Sequence, residues 1–134
     1  MSDNVYLGNP NLKKANTPIQ FSQENILEFV RCKEDPVYFA RKYIQIVSLD
    51  KGLVPFRMYD FQEKLVRNFH ESRFNICKMP RQTGKSTTVV SYLLHYAVFN
   101  DNVNIAILAN KASTARDLLG RLQLAYENLS LIHI

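Results

Sequence analysis

A Gly-Lys-Ser tripeptide at residues 84–86 constrains the fold more than any other feature of this chain of 134 residues. It stands between an apolar stretch, residues 73–79, and a helical pattern over residues 87–99. In a phosphate-binding loop, backbone N–H groups at the start of a helix surround a phosphate, and the helix dipole favours the anion. Strand, loop and helix in this order predict nucleotide binding by residues 78–86. The alternative is an ordinary surface turn between a strand and a helix.

The loop departs at one position from the usual pattern of such sites. Met79 stands five residues before Gly84, where the pattern GxxxxGK[ST] has its first glycine. Gly84 permits a close approach of the backbone that a Cβ atom would block. We expect Lys85 to reach the β- and γ-phosphates of ATP and the Ser86 hydroxyl to bind Mg²⁺.

The segments that follow the loop predict an α/β fold. Residues 103–109 are nearly all apolar, as in a strand of a parallel sheet that is covered on both faces. A last helix is expected to start at Ser113 or Thr114. The order strand, helix, strand, helix predicts a P-loop NTPase fold, a parallel sheet flanked by helices, truncated after its second strand–helix unit.

Three helices are predicted before the loop. One begins at the cap Ser22, one at the cap Asp35 with a proline after it, and one covers residues 59–70. The stretch 46–54 is expected to turn or to form a brief hairpin. The chain then divides into a flexible leader, residues 1–20, and one incomplete P-loop ATPase domain, residues 21–134. This domain consists of a helical lead-in (21–72), a core of two strand–helix units (73–128) and a tail (129–134).

Composition narrows the environment and the partners. Seventeen Lys and Arg residues against twelve Asp and Glu residues give a net charge of +5, which suits a phosphate-rich partner. The basic residues are scattered, so an ordinary solvated surface is the alternative. The two cysteines, Cys32 and Cys77, lack the spacing of a zinc site. We expect both to be small apolar packing residues of a protein in a reducing compartment. Without an apolar run of about 20 residues, we expect a soluble intracellular protein with no membrane partner.

The run Arg-Gln-Thr-Gly-Lys-Ser at residues 81–86 resembles the deviant phosphate-binding loop of large terminase subunits, the DNA-packaging motors of tailed bacteriophages. Those loops commonly lack the first glycine and carry a basic residue and Gln before the Gly-Lys pair. The sequence Met-Tyr-Asp-Phe-Gln at 58–62 resembles the adenine-recognition segment that this family shares with superfamily 2 helicases. Residues 105–113 resemble the family's second strand with its turn, and residues 35–40 resemble its helical lead-in. The resemblance covers about residues 20–128.

The resemblance implies roles for individual residues. Gln62 would hydrogen-bond the adenine edge, with Tyr59 packing near the base, although an ordinary helix start is the alternative for this segment. Arg81 would sense or stabilise the γ-phosphate in cis and, with Lys85, forms the expected catalytic pair; the alternative is a surface arginine in an ion pair. Lys111 is a candidate phosphate or DNA contact, or a solvated lysine. The expected nucleotide-binding residues are Tyr59, Gln62, Arg81, Gln82, Thr83, Gly84, Lys85, Ser86 and Thr87, with Ser86 also the Mg²⁺ ligand.

The resemblance further implies the ATP-binding part of a motor that hydrolyses ATP to move double-stranded DNA into a prohead. Its partners would be DNA, the portal, the small terminase subunit and further copies in a ring, in the cytoplasm of an infected bacterium. No apolar strand ending in acidic residues follows the loop, where the only acidic residues are Asp101, Asp117 and Glu127. We therefore expect ATP binding without efficient turnover. A superfamily 2 helicase or translocase fragment and a short non-hydrolysing nucleotide-binding module are the alternatives.

The final six residues, Leu-Ser-Leu-Ile-His-Ile at 129–134, depart from the proline-containing turn with which that family continues. We expect them to be a non-native tail without a packing role, on a chain that is a fragment of a longer protein. The alternative is a natural strand that leads into the missing part of the domain.

Overall fold

The computed structural model describes residues 5–6, 9–13, 21–48 and 50–129. In chain order, the described elements are β1 (Val5–Tyr6), β2 (Asn9–Lys13), α1 (Gln23–Glu34), α2 (Pro36–Tyr43), β3 (Gln45–Ser48), β4 (Gly52–Pro55), α3 (Asp60–Glu71), α4 (Lys85–Phe99) and α5 (Ala112–Glu127). Strand β1 pairs antiparallel with β2, and β3 pairs antiparallel with β4. The first hairpin lies in the predicted leader, whose other residues are outside the described ranges. Among the described helices, none combines the length and the apolar character that crossing a membrane requires.

Local capping determines where α1 and α2 begin. The Ser22 hydroxyl accepts a backbone N–H from the first turn of α1 at 3.2 Å. Asp35 Oδ1 accepts the N–H groups of Val37 at 2.9 Å and Tyr38 at 3.1 Å. These N–H groups have no partner within their own helix, and the proline at the first position of α2 has no N–H to satisfy. Both predicted helix starts are confirmed.

Helix α3 and the second hairpin also lie close to their predicted positions. Helix α3 covers Asp60–Glu71, one residue later than expected at each end. Strands β3 and β4 pair from Gln45 with Pro55 to Ser48 with Gly52. Gly52 has a φ of 68°, a left-handed conformation that glycine adopts without steric cost at such a turn.

The core lies where α2 packs against α3 and α4. Phe39 of α2 is fully buried, and its ring meets those of His95 and Phe99 at centroid distances of 5.4 and 5.3 Å. Edge-to-face arrangements of this kind add to the free energy gained from burial alone. Val66 of α3 and Leu94 of α4 complete this contact as buried aliphatic side chains.

Helix α5 packs along α4, and the residues at its end join the core. Ala125 is buried, and so is Leu129, whose N–H donates to the Tyr126 carbonyl at 3.1 Å. The expectation that residues 129–134 have no packing role is therefore wrong for Leu129. The other five residues of the predicted tail, 130–134, lie outside the described residues.

The predicted parallel sheet is not formed in the described part of the chain. Residues 73–79 and 103–109, the two expected strands, contain no β-structure, and the described strands pair only as antiparallel hairpins. Phe74 is 84% exposed, Ile76 101% and Leu108 90%. The prediction of a P-loop NTPase fold is therefore wrong. An apolar stretch can be buried in a sheet, but a strand of a parallel sheet also needs hydrogen bonds from a strand that lies far away in the sequence. The described strands pair only with their neighbours in the sequence.

Candidate phosphate-binding loop

The loop of residues 80–86 turns sharply before α4. Gln82 and Gly84 both have left-handed backbones, with φ of 60° and 74°. Gly84 is the N-cap of α4, and its carbonyl accepts the backbone N–H of Thr88 at 2.9 Å and the Thr88 hydroxyl at 3.0 Å. Helix α4 therefore begins at Lys85, two residues earlier than predicted.

The first turn of α4 offers hydrogen-bond donors that have no acceptor among the described residues. The first N–H groups of any helix have no acceptor within that helix. At α1 and α2 a capping side chain accepts such groups, whereas Gly84 has no side chain and α4 has no side-chain cap. The N–H groups of this turn therefore point, with the positive end of the helix dipole, toward whatever anion binds there.

Gln62 connects the loop to the start of α3. Its Oε1 accepts the Tyr59 N–H at 3.0 Å, and its Nε2 donates to the Thr83 carbonyl at 3.1 Å. The side chain is 4% exposed, so both hydrogen bonds are shielded from water. A Cβ atom at Gly84 would lie 2.5 Å from Gln62 Nε2, so the glycine is required for this approach. The sequence assigned Gln62 to the site but to the adenine edge, and it did not reveal the contact with the loop.

The Lys85 ammonium group folds back over the loop. Its Nζ donates to the Met79 carbonyl at 3.1 Å and to the Pro80 carbonyl. The Thr83 hydroxyl donates to the same Pro80 carbonyl at 3.1 Å, so the loop is closed by its own polar groups. An ammonium group binds an ionised oxygen more strongly than a neutral carbonyl, so a phosphate would compete well for Lys85.

The other predicted loop residues are on the surface. Arg81 is exposed, Gln82 and Ser86 are at the loop's outer side, and Thr87 is half-buried in the first turn of α4. No carboxylate of the described residues forms an ion pair with Arg81, so its guanidinium group is free to bind a ligand.

An exposed aromatic pair lies at the start of α3, next to Gln62 in the sequence. The Tyr59 ring is stacked on Phe61 with a centroid distance of 5.7 Å and an interplanar angle of 9°. Tyr59 is 70% exposed and Phe61 43% exposed. Phe61 is not among the nucleotide-binding residues expected from the sequence, although its ring stacks on that of Tyr59. The signal present in the sequence was the spacing of two aromatic residues across a helix start.

A metal ion fits this loop only together with a ligand that brings further oxygens. Ser86 contributes a single hydroxyl, and the described residues contain no group of three or more His, Cys, Asp or Glu side chains that could hold a metal. Mg²⁺ commonly keeps several waters and binds through one or two protein groups plus substrate phosphates. Ser86 could supply one protein ligand to a Mg²⁺ ion that is bound mainly by phosphates and water, but it could not hold Mg²⁺ by itself.

A scan of the chain against models of known protein families found no match. The site is thus defined by its own geometry, a glycine-capped helix start with free N–H donors, two cationic side chains and a buried glutamine that fixes the loop. Lys111, the remaining candidate, is exposed at the N-cap of α5.

Proposed function

We propose that residues 80–86 bind the polyphosphate of ATP, and that the chain is the ATP-binding portion of a DNA-packaging motor of the large terminase type. The nucleotide part of the proposal is supported by the geometry of the loop. The motor part is supported by the resemblance of residues 81–86 and 58–62 to that family.

The observation that carries the proposal is the hydrogen bond of 3.1 Å from Gln62 Nε2 to the Thr83 carbonyl. It attaches the loop to the helix start that presents Tyr59 and Phe61 as an exposed stacked pair. An anion-binding helix start and an aromatic surface are the two features that a nucleotide needs, one for its phosphates and one for its base. A single buried side chain links these two features.

In this proposal several groups of the loop each neutralise part of the negative charge of the triphosphate. The N–H groups of the first turn of α4 bind a phosphate oxygen, and Lys85 exchanges its carbonyl partners for the phosphates. Arg81 adds a second positive charge near the terminal phosphate, and Ser86 contributes one ligand to a nucleotide-bound Mg²⁺. The base lies against Tyr59, with Gln62 beside it.

We propose binding without efficient turnover for this chain. Hydrolysis requires carboxylates that hold the metal and orient the attacking water. The acidic residues after the loop, Asp101, Asp117 and Glu127, are exposed in a turn and on α5. In the complete motor the chain would act with double-stranded DNA, a portal, the small terminase subunit and further copies in a ring, in the cytoplasm of an infected bacterium. The net charge of +5 suits the DNA partner.

Thermal unfolding with and without MgATP tests the proposal. A ligand that binds the native state raises stability, by about 2.7 kcal/mol at 100 times its Kd, so the melting temperature should rise with MgATP concentration. Lys85→Ala should abolish most of this rise. Lys51→Ala, which removes the same charge from the exposed turn between β3 and β4, is the matched control and should retain it. A wild-type protein that does not respond to MgATP, or an equal response in Lys85→Ala, would refute the proposal.

A further inference from the structure

A cavity of about 450 Å³ lies between β3, α4 and α5, separate from the loop of residues 80–86. Ile46 of β3, Val90 of α4 and Leu124 of α5 form much of its wall. Its volume falls within the range of roughly 300–1,000 Å³ that is usual for pockets that bind small molecules. An apolar molecule of modest size therefore fits between these three elements.

The Ser91 hydroxyl is an unpartnered polar group in this wall. Ser91 is 2% exposed, lines the cavity, and has no hydrogen-bond partner for its Oγ among the described residues. A serine inside a helix commonly donates to the carbonyl four residues earlier, and a buried hydroxyl that makes no hydrogen bond is destabilising. The Oγ has almost no accessible surface, so an oxygen acceptor in the cavity would satisfy this hydroxyl once the Ser91 side chain rotates toward the cavity.

A positive charge lines the same cavity. Arg121 of α5 is one of its lining residues and is exposed to solvent on its other side. The ion pairs among the described residues do not include Arg121. A guanidinium group at the edge of an apolar cavity is suited to a planar carboxylate, which it can bind through two parallel hydrogen bonds.

We propose that this cavity binds an aliphatic carboxylate of medium chain length. The hydrocarbon chain lies among Ile46, Val90 and Leu124. The carboxylate binds Arg121 and accepts a hydrogen bond from Ser91, whose side chain rotates toward it. This site is distinct from the loop but adjoins the proposed nucleotide site, because Thr87, an expected nucleotide-binding residue in the first turn of α4, also lines it. A ligand here would therefore contact the same helix that presents the loop.

The test uses the full chain without nucleotide and octanoate as the probe, below its critical micelle concentration. Amide chemical shifts and thermal unfolding are followed as octanoate is added. We expect saturable shifts centred on Val90, Ser91 and Leu124 and a rising melting temperature. Octanol, which lacks the charge, and acetate, which lacks the chain, should each bind at least about tenfold more weakly. Absence of saturable shifts, or shifts spread over the whole surface, would overturn the proposal.

Two substitutions test the polar contacts. Arg121→Gln should weaken octanoate binding about tenfold, whereas Arg116→Gln, also on α5 but outside the cavity lining, should leave it unchanged. Equal binding by Arg121→Gln and wild type would overturn the assignment of the carboxylate. Ser91→Ala should not lower the melting temperature of the free protein, since the hydroxyl it removes has no partner. A lower melting temperature would show that the hydroxyl is already paired, for instance with a water, and would also count against the proposal.

Discussion

At the scale of single residues, the position of the Gln62 side chain restricts residue 84 to glycine, and the lack of a Cβ at Gly84 makes room for that side chain. Both polar atoms of the buried Gln62 carboxamide have hydrogen-bond partners, one on the backbone of Tyr59 and one on that of Thr83. A buried amide cannot move away from such partners without losing hydrogen bonds that water does not replace. Residue 84 must therefore leave room for the carboxamide and also adopt a left-handed backbone, and only glycine meets both requirements.

Gly84→Ala is expected to lower the free energy of unfolding by about 2–4 kcal/mol, because a left-handed alanine is strained and its Cβ would lie 2.5 Å from Gln62 Nε2. Gly52→Ala isolates the backbone cost, about 1–2 kcal/mol, because Gly52 has a φ of 68° and a Cβ atom there would meet no other atom within 4 Å. Gly120→Ala, inside α5 and in open space, should be stabilising by up to about 1 kcal/mol. Urea denaturation measures all three. A loss at Gly84 no greater than that at Gly52 would contradict the Gln62 contact.

The residues that belong to the site could be predicted from the sequence, but the contacts between them could not. The tripeptide at 84–86 and the segment 58–62 identified the loop and Gln62 by their residue types. The hydrogen bond between Gln62 and Thr83 joins residues far apart in the chain, so it depends on how α3 and α4 pack. The stacking of Tyr59 on Phe61 is local to one helix start, but the residue types alone did not single out Phe61 as the partner of Tyr59.

At the scale of elements, one carboxylate attaches α1 to α2. Glu28 of α1 accepts hydrogen bonds from the hydroxyls of Tyr38 and Tyr43 at 3.0 and 2.7 Å and from Lys42 Nζ at 2.7 Å. The hydrogen bond from Lys42, followed by that from Tyr43, lowers the pKa of Glu28 from its ordinary 4.5 to about 2. The ionised form of Glu28 is thus the form that holds the two helices together.

Glu28 makes stability depend on pH in the acid range. In the unfolded chain this carboxyl binds a proton near its ordinary pKa of 4.5, whereas in the native state it does so only near about 2. Its contribution is therefore complete above about pH 4.5 and is lost as the pH falls toward about 2. Glu28→Gln should cost about 1 kcal/mol at neutral pH, since the ion pair is partly solvated, and should flatten the dependence over this range.

Thermal unfolding at a series of pH values between about 2 and 7 measures this effect. Glu24→Gln, on the exposed first turn of the same helix, is the matched control and should leave the acid-range dependence close to that of wild type. If Glu28→Gln and wild type lose stability in parallel as the pH falls, the ionised Glu28 does not hold α1 against α2.

The elements that sequence predicts well in this chain are those determined locally. Asp35 and the proline after it determine where α2 begins, through contacts with residues no more than three positions away in the sequence. The second hairpin needs only a turn near Gly52. Segments 73–79 and 103–109 are different because a strand forms only where other strands pair with it. Their apolar composition predicted a parallel sheet, whereas the structure leaves both segments unpaired and largely exposed.

At the scale of the whole molecule, exposed apolar side chains set the behaviour in solution. The side chains of Ile76 and Leu108, from segments 73–79 and 103–109, are almost fully exposed to solvent, and that of Phe74 is only slightly less exposed. Extended apolar segments without partners promote association between chains. Marginal solubility of the isolated chain is therefore expected.

The double substitution Ile76→Lys and Leu108→Lys should raise the soluble yield without lowering the melting temperature, because neither side chain belongs to the core. Asn104→Lys with Asn110→Lys adds the same charge at exposed positions near Leu108 and serves as the control. It should improve solubility less, since it leaves the apolar side chains in place. Light scattering and thermal unfolding measure the two properties. A large drop in melting temperature for the Ile76 and Leu108 variant would show that these side chains are packed.

Binding of the polyphosphate of ATP by residues 80–86 can be tested by a two-dimensional amide NMR titration with MgATP. We expect saturable shifts concentrated in the backbone amides of residues 82–86 and in the Gln62 side-chain amide, with smaller shifts near Tyr59. Tripolyphosphate should reproduce the shifts of the loop but not those near Tyr59. Shifts that are absent, that do not saturate, or that centre on another part of the molecule would contradict the claim.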